Sequence, residues 1–141
     1  MATLLVKLKV KPGMEARYEE IQADLYQKTH DLEKGIVRAY EAWRGEEEGT
    51  YYCLLSYDTY YSFMKDHQTS PHHEDATPPL LDCFAAESIE WLDPVGGASP
   101  LPPTNPETLP AEASDLIKTY DAGMGFKLPA WWSRVRAQRG A

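Results

Sequence analysis

The chain has 141 residues, with 22 acidic side chains against 14 basic ones, a formal net charge of −8, and 43% hydrophobic content. That length buries roughly two-thirds of the surface its unfolded form exposes, enough for one core, so a single folded unit is expected. The acidic balance, with a pI near 4.9, argues against a nucleic acid partner, which needs a basic footprint, and disfavours an anionic membrane surface.

The N-terminal ATLLVKLKV is too short for a signal-peptide core and is interrupted by Lys7 and Lys9. No run approaches the roughly 20 apolar residues of a spanning helix, so the expected location is cytoplasmic. Cys53 and Cys83 lie 30 residues apart without a CxxC pairing. They read as reduced, half-buried thiols.

Leu4, Val6, Leu8 and Val10 alternate with Leu5, Lys7, Lys9 and Lys11, the period-two pattern of a strand, and Lys-Pro-Gly at 11–13 ends it. From Met14 the apolar positions become Met14, Tyr18, Ile21, Leu25 and Leu32, a helical spacing that Gly35 would stop. The segments 36–44 and 50–58, rich in β-formers, flank the acidic turn Gly45 to Gly49 and predict a hairpin. Tyr60, Phe63, Met64 and His67 start a second helical pattern, which Ser70-Pro71 and Pro78-Pro79 are expected to break into short pieces. A last strand is predicted over 84–92.

Near residue 94 the composition changes: six prolines fall within 17 residues. Up to residue 96 there are nine basic and eighteen acidic residues, and beyond it five and four. The organisation expected is a domain over 1–93, a Pro-rich linker over 94–110, and an extension over 111–141. In the extension, AEASDLIKTY after Pro110 predicts one short helix, DAGMGF a turn, and PAWWSRVRAQ a second helix. Leaving Trp131 and Trp132 in water is unfavourable, so the extension is expected to dock on the body of its own chain or on a dimer mate, with the two rings closing a pocket or covering an apolar patch.

The order strand, helix, strand, strand, helix, strand is the α+β, ferredoxin-like βαββαβ plan: a four-stranded antiparallel sheet with both helices on one face. Tyr51, Cys53, Leu55 and Tyr57 alternate with Tyr52, Leu54 and Ser56, placing large groups on both faces. Sheet-to-sheet homodimerisation would cover the second face.

The runs VKLKVKPGMEARYEEI (6–21), LLSYDTYYSFMKDHQTSPHH (54–73) and AAESIEWL (85–92) resemble the antibiotic biosynthesis monooxygenase family of the dimeric α+β barrel superfamily, over about two-thirds of the chain. The resemblance implies a homodimer with a pocket between each subunit's sheet and helices. It also implies oxygenation of phenols, quinols or anthrones by O2 with no bound flavin, haem or metal, hence no cofactor. The superfamily's haem-degrading branch uses an Asn and a Trp where this chain has Val6 and Tyr57. A polyketide cyclase branch carries a single His close to the place of His73, so a cyclase or isomerase working without O2 stays open. So does a small-molecule-binding or stress-response barrel without turnover.

Three of the four histidines, His67, His72 and His73, fall within seven residues, beside Glu74 and Asp75. An imidazole is poised to take a phenolic proton near neutral pH, and Glu74 or Asp75 could orient it. As a metal site the cluster lacks an i, i+4 pair on one helical face, and two adjacent histidines at a helix start also suit a solvated cap. Sequence alone does not separate the neighbours. The resemblance selects His73 as base, with His72 as the other candidate.

Trp43, Tyr51, Tyr57, Tyr60, Phe63 and Trp91 offer flat walls for an aromatic substrate, or plain core packing. Tyr57, ending the third strand, is expected to point toward the second helix. Arg38 is a candidate anion stabiliser; its other reading, shared with Arg44, is an ion pair with Glu46 to Glu48. That acidic run itself reads as a solvated turn.

Overall fold

The computed structural model describes residues 1–139. Four strands, β1 (Ala2–Val10), β2 (Val37–Arg44), β3 (Thr50–Tyr57) and β4 (Phe84–Trp91), form one antiparallel sheet in the order β2-β3-β1-β4. Helix α1 (Glu15–Leu32) connects β1 to β2. Between β3 and β4 run a short α2 (Tyr60–Ser62), a π-helical stretch Phe63–Gln68, and α3 (Pro71–Cys83). This is the ferredoxin-like βαββαβ plan, and α1 packs on α3.

Register explains the two faces. Leu4 pairs with Leu55, Val6 with Cys53 and Leu8 with Tyr51, and this set looks toward the helices. Leu5 pairs with Leu54, Lys7 with Tyr52, and Trp43 with Tyr52 on the opposite face. There Leu5, Tyr52 and Leu54 are half-buried and Trp43 is 60% exposed. Trp43 therefore stands on the face away from the helices, and does not line the cavity between them. At the hairpin, Gly49 has φ +79, and a Cβ there would meet the Val10 carbonyl oxygen at 3.2 Å, so a side chain would be strained twice.

Helix α1 buries Tyr18, Gln22, Leu25 and Thr29, and Glu33 just past its end continues that stripe. The expected apolar stripe is rotated: Leu32 is 67% exposed and Ile21 only half-buried. Helix α3 runs through Pro78 and Pro79 instead of breaking. Ser70 caps its start by accepting from the His73 N–H, Pro71 occupies the first turn, and burial of Leu80 and Cys83 draws in the last turn. Packing here outweighs the two lost backbone donors.

No helix or strand lies between Trp91 and Asp115. Beyond them come α4 (Asp115–Met124) and α5 (Ala130–Gln138). Helix α4 begins at the Ser114 cap, later than Pro110, and runs into the segment expected to be a turn, ending at Met124. The Tyr60 hydroxyl donates to Asp121, Tyr120 donates to Glu74 at 2.8 Å, and Trp91 Nε1 donates to the Met124 carbonyl at 3.0 Å. Phe126 stacks on Trp91, with centroids 4.5 Å apart, and Trp132 packs edge-on against Phe126. Arg136 holds Asp93 and the Thr104 carbonyl. These contacts hold the described part of the extension against the body of the same chain; its last two residues, 140 and 141, lie outside the described ones. No helix among the described residues is long and apolar enough to cross a membrane.

Candidate active site

A cavity of about 400 Å³ lies between the sheet and the helices. Its floor is the inward set of the sheet: Leu4, Val6, Leu8, Cys53 and Leu55, with Tyr40 from β2 and Glu87 and Ile89 from β4. Gln22 and Leu25 of α1 form one wall. Phe63, His67 and Gln68 of the π-helical stretch and His73, Thr77 and Leu80 of α3 form the other. Tyr120 and Met124 of α4 complete it, so the extension contributes to the cavity through α4 and not through Trp131 or Trp132, which border a separate groove.

His67 follows Phe63 by four residues and shares its buried face. Over the stretch Phe63–Gln68 the bonding widens, the Thr69 N–H donating to the Met64 carbonyl, and Phe63, Met64, His67 and Gln68 are buried. Such stretches recur at functional sites. His67 stacks on Phe63 and packs against Tyr57, Tyr40 and His73, whose ring centroids lie 4.9 to 6.0 Å away.

Behind His67 sits Glu33, 2% exposed. Its Oε2 accepts from His67 Nδ1 at 2.9 Å and from His72 Nε2 at 2.5 Å, and its Oε1 accepts from the Tyr57 hydroxyl at 2.6 Å. Burial works to raise the Glu33 pKa, but the bonds from His67, Tyr57 and His72 outweigh it and hold the carboxyl below its ordinary value. An ionised carboxylate offers only acceptors, so both imidazoles present N–H groups to it. Burial lowers the His67 pKa, with Glu33 opposing. The ring is then neutral, with Nδ1 protonated and Nε2 free to accept.

Donor atoms of Glu33, His67 and His72 all lie within 4.8 Å of one another, a set that could surround a metal ion. Ligands of a tetrahedral ion at about 2.0–2.2 Å sit roughly 3.3–3.6 Å apart. The separations here, 2.9 and 2.5 Å, are those of charge-assisted hydrogen bonds.

The residues singled out by sequence are distributed unevenly. His73 lines the cavity, but burial first and then His67 push its pKa down to about 3. His72 does not line the cavity; it bonds Glu33 and Ser70 and borders outer grooves. Tyr57 is fully buried and points toward the helices, yet serves Glu33 from behind the wall. Tyr51 donates to Glu19 at 2.6 Å, and Trp91 packs on Tyr60, Phe63 and Phe126. Of the aromatic set only Phe63 reaches the cavity surface. Arg38 is tied to Asp58 at 2.6 Å outside the cavity, while Arg44 pairs with Glu19 and Lys9 with Glu47, so neither arginine meets the acidic turn. Cys53 and Cys83 are free and buried rather than half-buried.

Glu33, Tyr40 and Gln22 escaped sequence reasoning. Glu33 looks like one more acid at the end of an acidic helix. The spacing Tyr18, Gln22, Leu25, Thr29, Glu33 nevertheless steps by four, three, four and four, which keeps all five on one helical face.

The family model described as antibiotic biosynthesis monooxygenase matches residues 1–78. Among solved structures, the chain is similar to a candidate antibiotic biosynthesis monooxygenase from Caulobacter crescentus CB15, at 30% identity and a TM-score of 0.61, over 67% of this chain and 89% of that one. A candidate of the same description from Bacteriodes thetaiotaomicron VPI-5482 aligns at 19% identity and a TM-score of 0.62, over 67% and 89%. Rv0793 from Mycobacterium tuberculosis aligns at 14% identity and 0.61, over 70% and 98%. The last two likenesses speak for the fold alone. No curated protein matches the chain.

Proposed function

Since the chain belongs to the antibiotic biosynthesis monooxygenase family, we propose that it oxidises a phenolic, quinol or polyketide-like aromatic compound with O2, without a bound cofactor, in the cavity between sheet and helices. The observation that carries this reading is His67: its ring lines an apolar cavity while its Nδ1 is anchored on the buried carboxylate of Glu33. A base needs a free lone pair on the substrate side and a partner that steadies the charge it acquires.

The chemistry then asks little more of the protein. His67 Nε2 takes the proton of a phenol or enol, and Glu33 stabilises the imidazolium. The anion gives one electron to O2 and recombines with the superoxide, and the resulting peroxide takes the proton back. Loss of water leaves the quinone, with one oxygen atom on the ring carbon and the other in water. Leu4, Val6, Leu8 and Leu55, the apolar part of the floor, limit the water around the anion. His73, the base favoured from sequence, is the weaker candidate: burial opposes protonation of both rings, but of the two only His67 bonds a carboxylate that steadies the charge it would acquire; His73 serves as a neutral polar contact.

The assembly we infer is a homodimer, with the face bearing Leu5, Tyr52, Leu54 and Trp43 covered by a second copy, in the cytoplasm. Sedimentation tests the dimer: a monomer at micromolar concentration would contradict it.

Oxygen uptake with a panel of quinols and anthrones tests the reaction. The expected result is consumption that His67→Ala abolishes. Turnover under strict anaerobiosis would replace the oxygenase by a cyclase or isomerase, and saturable binding without product in either atmosphere would leave a binding module.

A further inference from the structure

The tyrosines that surround the core differ in one respect. Tyr51, Tyr57, Tyr60 and Tyr120 each donate their hydroxyl proton to a carboxylate, of Glu19, Glu33, Asp121 and Glu74 respectively. Tyr18 donates to the Gln22 side-chain oxygen at 3.3 Å. Tyr40 is the exception. It is 5% exposed and lines the cavity, and its hydroxyl oxygen accepts from Gln22 Nε2 at 2.8 Å. Among the described residues no acceptor takes its own proton.

A buried hydroxyl with an unspent proton is uncommon, because leaving a donor unmatched away from water costs on the order of 1–3 kcal/mol. The site is also prepared for a strong acceptor. Gln22 is fixed at both ends, by Tyr18 at its oxygen and by Tyr40 at its nitrogen. An amide donating into the phenolic oxygen polarises the remaining O–H and makes it a better donor. The Tyr40 ring is held 5.1 Å, centroid to centroid, from that of His67. Burial, with Cys53 and Glu33 adding to it and Gln22 opposing, keeps the Tyr40 phenol above its ordinary pKa, so the group stays a donor at neutral pH.

We propose that Tyr40, backed by Gln22, is the anion-binding residue of the cavity, donating its O–H to the oxygen of the bound phenol or enol as His67 removes that oxygen's proton. The inference rests on the function proposed above and adds the group that stabilises the product of its first step. The proton moves from substrate oxygen to His67 Nε2, the Tyr40 proton stays on Tyr40, and no further reactant is required. Donors placed at a developing oxyanion are typically worth about 10²–10³ in rate.

The test uses 4-nitrophenol, whose anion is coloured, and 4-nitroanisole, its O-methyl ether, which cannot ionise. In the wild-type protein, bound 4-nitrophenol should ionise at lower pH than in water. Tyr40→Phe should weaken binding of the anion roughly tenfold to a hundredfold and that of 4-nitroanisole, whose ether oxygen is a neutral acceptor, by a clearly smaller factor. Gln22→Met, which keeps Tyr40 but removes its amide, should weaken anion binding by a smaller factor, and keeps the proposal testable if Tyr40→Phe fails to fold. If wild type ionises the probe and both variants do so equally well, Tyr40 has no such role while the function proposed above stands. If wild type binds neither compound, that function falls and the role of Tyr40 with it.

Discussion

Glu33 Oε2 lies 2.9 Å from His67 Nδ1, across 34 residues of sequence, and each side chain is only 1% exposed. The pair joins the end of α1 to the π-helical stretch, and Tyr57 and His72 close on the same carboxylate. One acidic side chain thus fixes the orientation of the imidazole that faces the cavity.

Removing that carboxylate should be expensive. Glu33→Ala leaves two imidazole N–H groups and a phenol without their acceptor, and a loss of about 3–5 kcal/mol in unfolding free energy is expected. Urea titration checks it, with a lowered midpoint and an unchanged slope. A loss below about 1 kcal/mol would show that the network is not stabilising in solution.

The histidines fix the sign of the pH dependence. His73 is pushed down to about 3 in the folded chain, against 6.5 for the free side chain. Between those values the unfolded chain binds the proton that the folded one refuses, so stability rises with pH and is lost progressively on acidification below about 6.5. Glu33 acts in the same direction, its contribution being present above the ordinary carboxylate value and lost as pH falls through its lowered one. His73→Gln should flatten the fall in melting temperature between pH 6 and pH 4.

Activity should follow His67. Because burial lowers its pKa, the acid limb of kcat/KM is expected below the ordinary histidine value near 6.5. An acid limb above 7 would point to a different base.

The extension makes a separable prediction. Asp121→Asn and Tyr120→Phe weaken the bonds that hold α4 over the cavity. Hydrogen exchange should then quicken across α4 while β1 and β3 amides stay protected. Equal acceleration in the sheet would mean that α4 and the sheet open as one unit.

The sheet was legible because strand alternation and turn residues are local signals: Leu4 to Val10, the Lys-Pro-Gly turn and the Gly45 to Gly49 hairpin each carry their own instruction. Helix rotation was less so, since Leu32 and Ile21 attracted the apolar stripe that packing assigns to Gln22, Thr29 and Glu33. The histidine cluster was visible as a cluster, but its division was not. The spacing of Phe63, Met64 and His67 already sets His67 on the buried face, but nothing in it shows that His72, beyond the Ser70 cap, is drawn to Glu33 from outside. Arg38 and Trp43 looked suited to a pocket by type, and an ion pair with Asp58 and the opposite strand parity place them elsewhere.

The most direct test of the central claim is the fate of isotopic oxygen. With ¹⁸O2 and an accepted quinol or anthrone, mass spectrometry should find one labelled oxygen in each quinone formed, and none from H2¹⁸O once carbonyl exchange is subtracted. Product that forms without O2, or that draws its new oxygen from water, would contradict the account.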